Sequence, residues 1–165
     1  MRRFMTAMSG VAGLSLAAAA CSAGVGYGAG GGPSAQPPPG GAVQPATTVA
    51  VGTTNRGQFL VDGRGRTLYL FEADAHGTSV CVSAGCVAEW PPLTAVGTLR
   101  ASGGLTAAGL GATSRSNGTR QVTYDGHPLY RFAGDVQAGT ANGQGLDDNG
   151  GLWYPVRTDG TAALG

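Results

Sequence analysis

The stretch Leu68-Tyr69-Leu70-Phe71-Glu72-Ala73-Asp74 returns as Leu129-Tyr130-Arg131-Phe132-Ala133-Gly134-Asp135, sixty-one residues later. Trp90-Pro91-Pro92-Leu93 and Trp153-Tyr154-Pro155-Val156 follow at a nearly equal offset of sixty-three. A chain that writes the same β-prone run, loop and tryptophan segment twice is an internal duplication, so its fold must accommodate two copies of one unit.

Each copy holds three short β-prone runs between turn residues, the pattern of an antiparallel meander. Asp125-Gly126 separates RQVTY from HPLYRF, and Asp-Gly between such runs predicts a two-residue hairpin because both turn positions accept positive φ. The first copy expands this turn to Asp62-Gly63-Arg64-Gly65, and Asn117-Gly118 predicts the turn before RQVTY. Beyond Cys21, the only hint of helical periodicity lies near Leu105 to Leu110, where the glycines argue against a stable helix. A half of about 55 residues buries too little surface to be secure alone, so the copies should share one core. The expected fold is an all-β domain of two duplicated antiparallel β-meander repeats with pseudo-twofold symmetry, closed as a barrel or stacked as a sandwich. Repeat one runs from about 47 to 97 and repeat two from about 106 to 158.

Residues two apart on a strand share a face, so Tyr69 with Phe71, and Tyr130 with Phe132, should line one side while Leu68 and Leu129 line the other. Asp74 and Asp135 fall just after their strands, where a carboxylate can accept backbone N–H bonds and fix the next loop, or pair with a tyrosine hydroxyl. Trp90 and Trp153 are natural core plugs. The repeated residues therefore read as scaffold first and as a ligand site second.

The N-terminus reads as an export signal: basic MRRF, an apolar and small run, then Cys21 directly after LAAAA. Residues 1–20 are taken as the signal peptide and Cys21 as a lipidated first residue of the mature chain. The alternatives are ordinary secretion, with cleavage after Ala20 or Ala23, and twin-arginine export through Arg2-Arg3, which the following residues fit poorly. From 21 to 46 the chain is rich in Gly, Pro, Ala and Gln and carries no charge, the composition of a disordered tether. Such a tether would hold the folded part, residues 47–165, ~25–30 Å from a membrane. No later stretch is long and apolar enough to span a bilayer, so the expected membrane contact is through the N-terminal lipid. Without Arg2 and Arg3 the mature chain has eight Arg against nine Asp plus Glu, and no basic cluster favours nucleic acid. The absence of Lys and Ile, with abundant Gly, Ala and Arg, points to a GC-rich genome such as an actinobacterial one.

With Cys21 assigned to lipid, the remaining Cys81 and Cys86 suit one disulfide in an oxidising compartment. A loop this short gains roughly 2 kcal/mol by the chain-entropy model, enough to stiffen it but not to replace a core. The sharpest alternative is a metal, haem or redox site in this loop, with Asp74, His76, Cys81 and Cys86 as ligands, although oxidation would remove both thiols. The second loop offers Asp135, Asn142, Asp147, Asp148 and Asn149 as oxygen donors, but its spacing fails the calcium-loop pattern and it reads as a solvated Gly-rich loop. The motifs of serine hydrolases, zinc proteases and phosphate-binding loops are missing, so neither catalysis nor a cofactor is expected.

The residues Tyr69, Phe71 and Asp74, and again Tyr130, Phe132 and Asp135, resemble a bacterial family of secreted repeats and lipoproteins defined by a Tyr-x-(Phe/Trp/Tyr)-x-x-Asp motif. Cys81, Cys86, WPPL at 90–93, QVTYDGHPLYRFAGD at 121–135, GQG at 143–145 and WYPV at 153–156 extend the resemblance over residues 50–157. The resemblance implies an exported, usually lipid-anchored protein of unestablished role, and it lends this chain no catalytic residue. The expected function is a non-catalytic binding or structural module of the cell envelope, meeting an envelope protein or polymer. The metal or redox domain is the first alternative and a hydrolase the second.

Overall fold

The computed structural model describes residues 45–75 and 77–165. The expected signal peptide, Cys21 and nearly all of the expected tether lie outside the described residues, as does His76. The domain is nearly all β. Its strands are β1 (Ala46–Thr54), β2 (Gly57–Asp62), β3 (Tyr69–Phe71), β4 (Thr98–Ser102), β5 (Leu110–Ser114), β6 (Arg120–Tyr124), β7 (His127–Pro128), β8 (Leu146–Asp148) and β9 (Gly151–Pro155). They form three small sheets, ordered β2-β1-β4, β3-β9-β8 and β5-β6-β7, and close no barrel.

The hairpin turns follow from local chemistry. Asp125 and Gly126 take φ of 45° and 84°, the two positive values that suit a two-residue turn to strand twist. In the longer first-copy turn, Asp62 Oδ1 accepts the backbone N–H groups of Arg64 and Arg66 at 2.8 and 3.1 Å, and Gly65 supplies a φ of 79°. Asn117 caps the turn before β6 in the same way, accepting the Thr119 N–H at 3.0 Å.

Two elements depart from the expected meanders. β4 pairs parallel to β1, with Ala46 opposite Thr98, because the linker between the repeats returns to the open edge of the first hairpin. A six-residue helix, α1 (Ala84–Glu89), sits inside the first loop, its N-terminus capped by the Ser83 hydroxyl, which accepts the Cys86 N–H at 3.2 Å. Six residues are too few to show a helical period, so the pattern could not announce it. Near Leu105 to Leu110 only a single 3-10 turn forms, at Ala107–Gly109.

The copies exchange their tryptophan segments. Leu93 N–H donates to Leu129 O and Leu93 O accepts from Val122 N–H, at 2.9 and 2.8 Å, so the segment after Trp90 completes the hairpin of the second repeat. Val156 N–H donates to Leu68 O and Val156 O accepts from Leu60 N–H, at 3.0 and 2.8 Å, so the segment after Trp153 completes the first. Between them, alternate side chains divide the core. Leu68, Leu70 and Leu129 enter an aliphatic cluster with Val49, Leu60 and Val122, while Tyr69, Phe71 and Tyr130 enter an aromatic one with Trp90 and Trp153. Both faces of the central strands are thus apolar and covered.

Because each hairpin lacks a strand until the other copy supplies it, a fragment holding either repeat alone should show no stable β signal by circular dichroism. The intact domain should melt in one cooperative transition. Two transitions, or a folded single repeat, would show that the exchange is dispensable.

Candidate functional site

The repeated motifs meet at the centre of the molecule. Tyr69 N–H donates to Tyr130 O and Tyr130 N–H donates to Tyr69 O, both at 2.9 Å, so the two motif strands touch back to back. From this bridge each phenol reaches into the other copy's loop. Tyr69 OH donates to Asp135 Oδ2 at 2.6 Å, and Tyr130 OH donates to Asp74 Oδ2 at 2.7 Å. The second oxygen of each carboxylate closes its own loop, with Asp135 Oδ1 accepting from Asn142 N–H and Asp74 Oδ1 from Val80 N–H, each at 2.8 Å. Loop fixing and tyrosine pairing are carried by the same carboxylate, through different oxygens.

The aromatic side chains cross between copies as well. Phe71, Trp153, Trp90 and Phe132 form one continuous stack, with successive ring centroids 4.0, 4.0 and 4.5 Å apart. Each phenylalanine covers the tryptophan of the other repeat. Tyr69 stands edge-on to Trp90 and Tyr130 edge-on to Trp153, at 5.4 and 5.1 Å, the geometry favoured by ring quadrupoles. Asp148 holds both indoles: Trp90 Nε1 donates to its carboxylate at 2.9 Å and Trp153 Nε1 to its backbone carbonyl at 3.0 Å. The Trp90 N–H foremost holds the Asp148 carboxyl below its usual range. The Gly-rich second loop, expected to be merely solvated, therefore contributes two structural carboxylates, Asp135 and Asp148.

Burial, followed by the hydrogen bond and charge of Asp135, pushes the Tyr69 phenol well above its ordinary value. Burial also raises Tyr130, with the charge of Asp74 adding to it and the Ser79 hydrogen bond opposing it. Asp74 is raised too, its burial outweighing the bonds from Val80 and Tyr130.

A family model described as a secreted repeat of unknown function matches residues 50–94 and again residues 111–157. The chain belongs to this family of secreted repeats. No curated protein and no solved structure matches it. Each match ends just past a tryptophan segment, so the matched unit contains the strand that it gives to its twin.

Within the secreted repeat, Cys81 and Cys86 are joined as a disulfide with Cα atoms 5.6 Å apart, at the edge of the aromatic cluster. The described members of the metal alternative are thus engaged elsewhere: two sulfurs with each other, and Asp74 with Tyr130 and Val80. Among the described residues no group of three His, Cys, Asp or Glu side chains is placed to hold a metal ion. Gly143, the first residue of GQG, passes so close to the stack that an added Cβ would lie 2.8 Å from Trp90, while Gly145 turns the chain at a φ of 72°.

Sequence reasoning passed over Arg115. Its buried guanidinium donates to Ser79 Oγ, Gln121 Oε1 and Cys81 O, tying the first loop to the second repeat. Nothing in its neighbourhood, a polar turn sequence, distinguishes it from a solvated arginine.

Tyr69→Phe leaves the fully buried Asp135 with one donor fewer, whereas Asp74, partly exposed, can recruit water when Tyr130 is changed. Denaturant unfolding should show a loss of about 2–3 kcal/mol for Tyr69→Phe and about 1 kcal/mol for Tyr130→Phe. Equal, negligible losses would mean that the pairs do not hold the fold.

Both phenols keep their protons above the ordinary value of 10.0, so the folded state binds more protons than the unfolded state at alkaline pH. Their contribution is complete below about pH 10 and declines as the pH rises past it. An ultraviolet titration should find Tyr69 and Tyr130 ionising only together with unfolding; reversible ionisation of all tyrosines in the folded protein would contradict this.

Proposed function

We propose that the secreted repeat is a lipoprotein of the cell envelope, anchored through Cys21, whose double repeat is a non-catalytic module that binds an envelope protein or polymer. One observation carries the reading: the motif's polar and aromatic groups are satisfied by one another. Two phenols meet two carboxylates, two indole N–H groups meet Asp148, and four rings stack in one column. Among the described residues no nucleophile is left beside a free base at this centre, and the motif defines a rigid frame. Recognition then falls to the surface and to the parts in which the copies differ. Export is in keeping with the family, and the disulfide with an oxidising compartment.

The anchor rests on the export signal and on the cysteine that the disulfide leaves over. Metabolic labelling with a fatty acid in a bacterial host should modify the wild-type protein and spare Cys21→Ser, which should be released from the membrane fraction. Equal labelling of both, or a mature N-terminus elsewhere, would remove the anchor.

A further inference from the structure

A cleft of about 710 Å³ opens between β1, the Asp62–Arg66 turn and the segment after Trp90, and Arg131 of the second repeat closes it. Arg64, Arg66 and Arg131 line it together with a single acid, Asp62. Against the eight Arg and nine Asp plus Glu of the domain, three Arg and one Asp here make a local excess of two positive charges.

Arg64 and Arg131 have no arginine counterpart in the other copy. Where the first copy has Asp62-Gly63-Arg64-Gly65, the second turns with Asp125-Gly126 alone, so Arg64 lies in an insertion. Arg131 occupies the position that Leu70 fills in the first copy, where leucine belongs to the aliphatic core.

The guanidinium groups are held but not satisfied. Arg131 Nε donates to Asp62 Oδ2 at 2.6 Å in the one ion pair among the described residues, which fixes the side chain while leaving its two terminal nitrogens without an acceptor among those residues. Arg66 Nη2 donates to Phe132 O at 2.9 Å, and its buried Nε has no acceptor among the described residues. Arg64 is exposed and makes no ion pair among the described residues. Asp62 does not neutralise the set, since its oxygens already accept Arg131 Nε and two backbone N–H groups.

We propose that this cleft is a binding site for a phosphodiester anion, with Arg64 and Arg131 as its principal ligands and Arg66 beside them. The inference rests on the reading of the protein as a non-catalytic envelope module and gives that module a ligand class. Asp62 shows that a carboxylate is satisfied by one guanidinium and two N–H groups. A ligand facing several guanidinium forks is better matched by phosphate oxygens, which accept bidentate bonds from arginine and leave acceptors for a second one. The same diester chemistry is offered by an anionic lipid headgroup and by a soluble glycerophosphodiester.

The test uses the exported protein with Cys21→Ser, isotopically labelled, and follows its amide resonances during titration. Glycerophosphoglycerol and phosphatidylglycerol vesicles are the two probes, with acetate and phosphatidylcholine vesicles as controls. Shifts confined to residues 47–48, 62–66, 93–96 and 131, weakened about tenfold by Arg64→Gln and unchanged by Arg120→Gln, are expected. Arg64 is exposed, so its replacement leaves the fold intact, and Arg131→Gln provides the second variant. Binding of the soluble diester identifies the free ligand; Arg64-dependent binding of phosphatidylglycerol vesicles alone identifies the lipid headgroup. No shift with either probe, equal shifts with acetate, or full binding by Arg64→Gln would overturn the proposal. Release of glycerol from the diester would instead sink the non-catalytic reading and leave the ligand assignment standing.

Discussion

Two backbone hydrogen bonds between Tyr69 and Tyr130 sit at the centre of this molecule, and the rest of the architecture is arranged around them. Because the strands meet at equivalent residues, whatever one copy does to the other is returned in kind. Each phenol crosses to the opposite carboxylate, each phenylalanine to the opposite tryptophan, and each tryptophan segment to the opposite hairpin. The buried carboxylate of Asp135 is tolerable only because it receives a phenol and a backbone N–H; without them it would be an unsatisfied charge in an aromatic core. The scaffold is therefore cooperative by construction.

Symmetry ends where the loops begin. The first loop is stiffened by a disulfide and a single short helix and is tied down by a buried arginine, while the second is a glycine-rich passage that relies on Asp135 and Asp148. The two solutions meet one requirement, which is to carry the chain from the motif strand back to its tryptophan at the far end of the stack. Covalent restraint in one copy and side-chain hydrogen bonding in the other both lower the freedom of a loop that would otherwise open the aromatic column.

Duplicated frames free one copy to vary, because only contacts at the shared axis are constrained twice. The four-residue turn at Asp62 and the exchange of a core leucine for Arg131 are such departures, and they converge on one cleft although they lie in different repeats. A ligand site formed this way would exist only in the paired state. Binding and folding would then be thermodynamically linked, since a ligand that recognises only the folded state stabilises it.

The sequence by itself determined the duplication, the turns and the two-faced central strands, because these depend on spacing and on residue types whose backbone preferences are local. Asp-Gly at 125–126 and the alternation of Leu68, Tyr69, Leu70 and Phe71 needed no knowledge of distant neighbours. It also marked the motif residues as members of the core. Tertiary structure alone decided which copy each of them serves. A tyrosine and an aspartate five residues apart pair with the other repeat rather than with each other, and one residue, Asp148, gathers two tryptophans separated by sixty-three residues, one on its carboxylate and one on its backbone carbonyl. Arg115 was hidden for the same reason, whereas the helix at Ala84–Glu89 was too short to show a period. The burial of Arg115 comes from surfaces brought together by chain crossing, and a one-dimensional pattern of polar and apolar residues records the face a residue turns inward but not the partner that covers it.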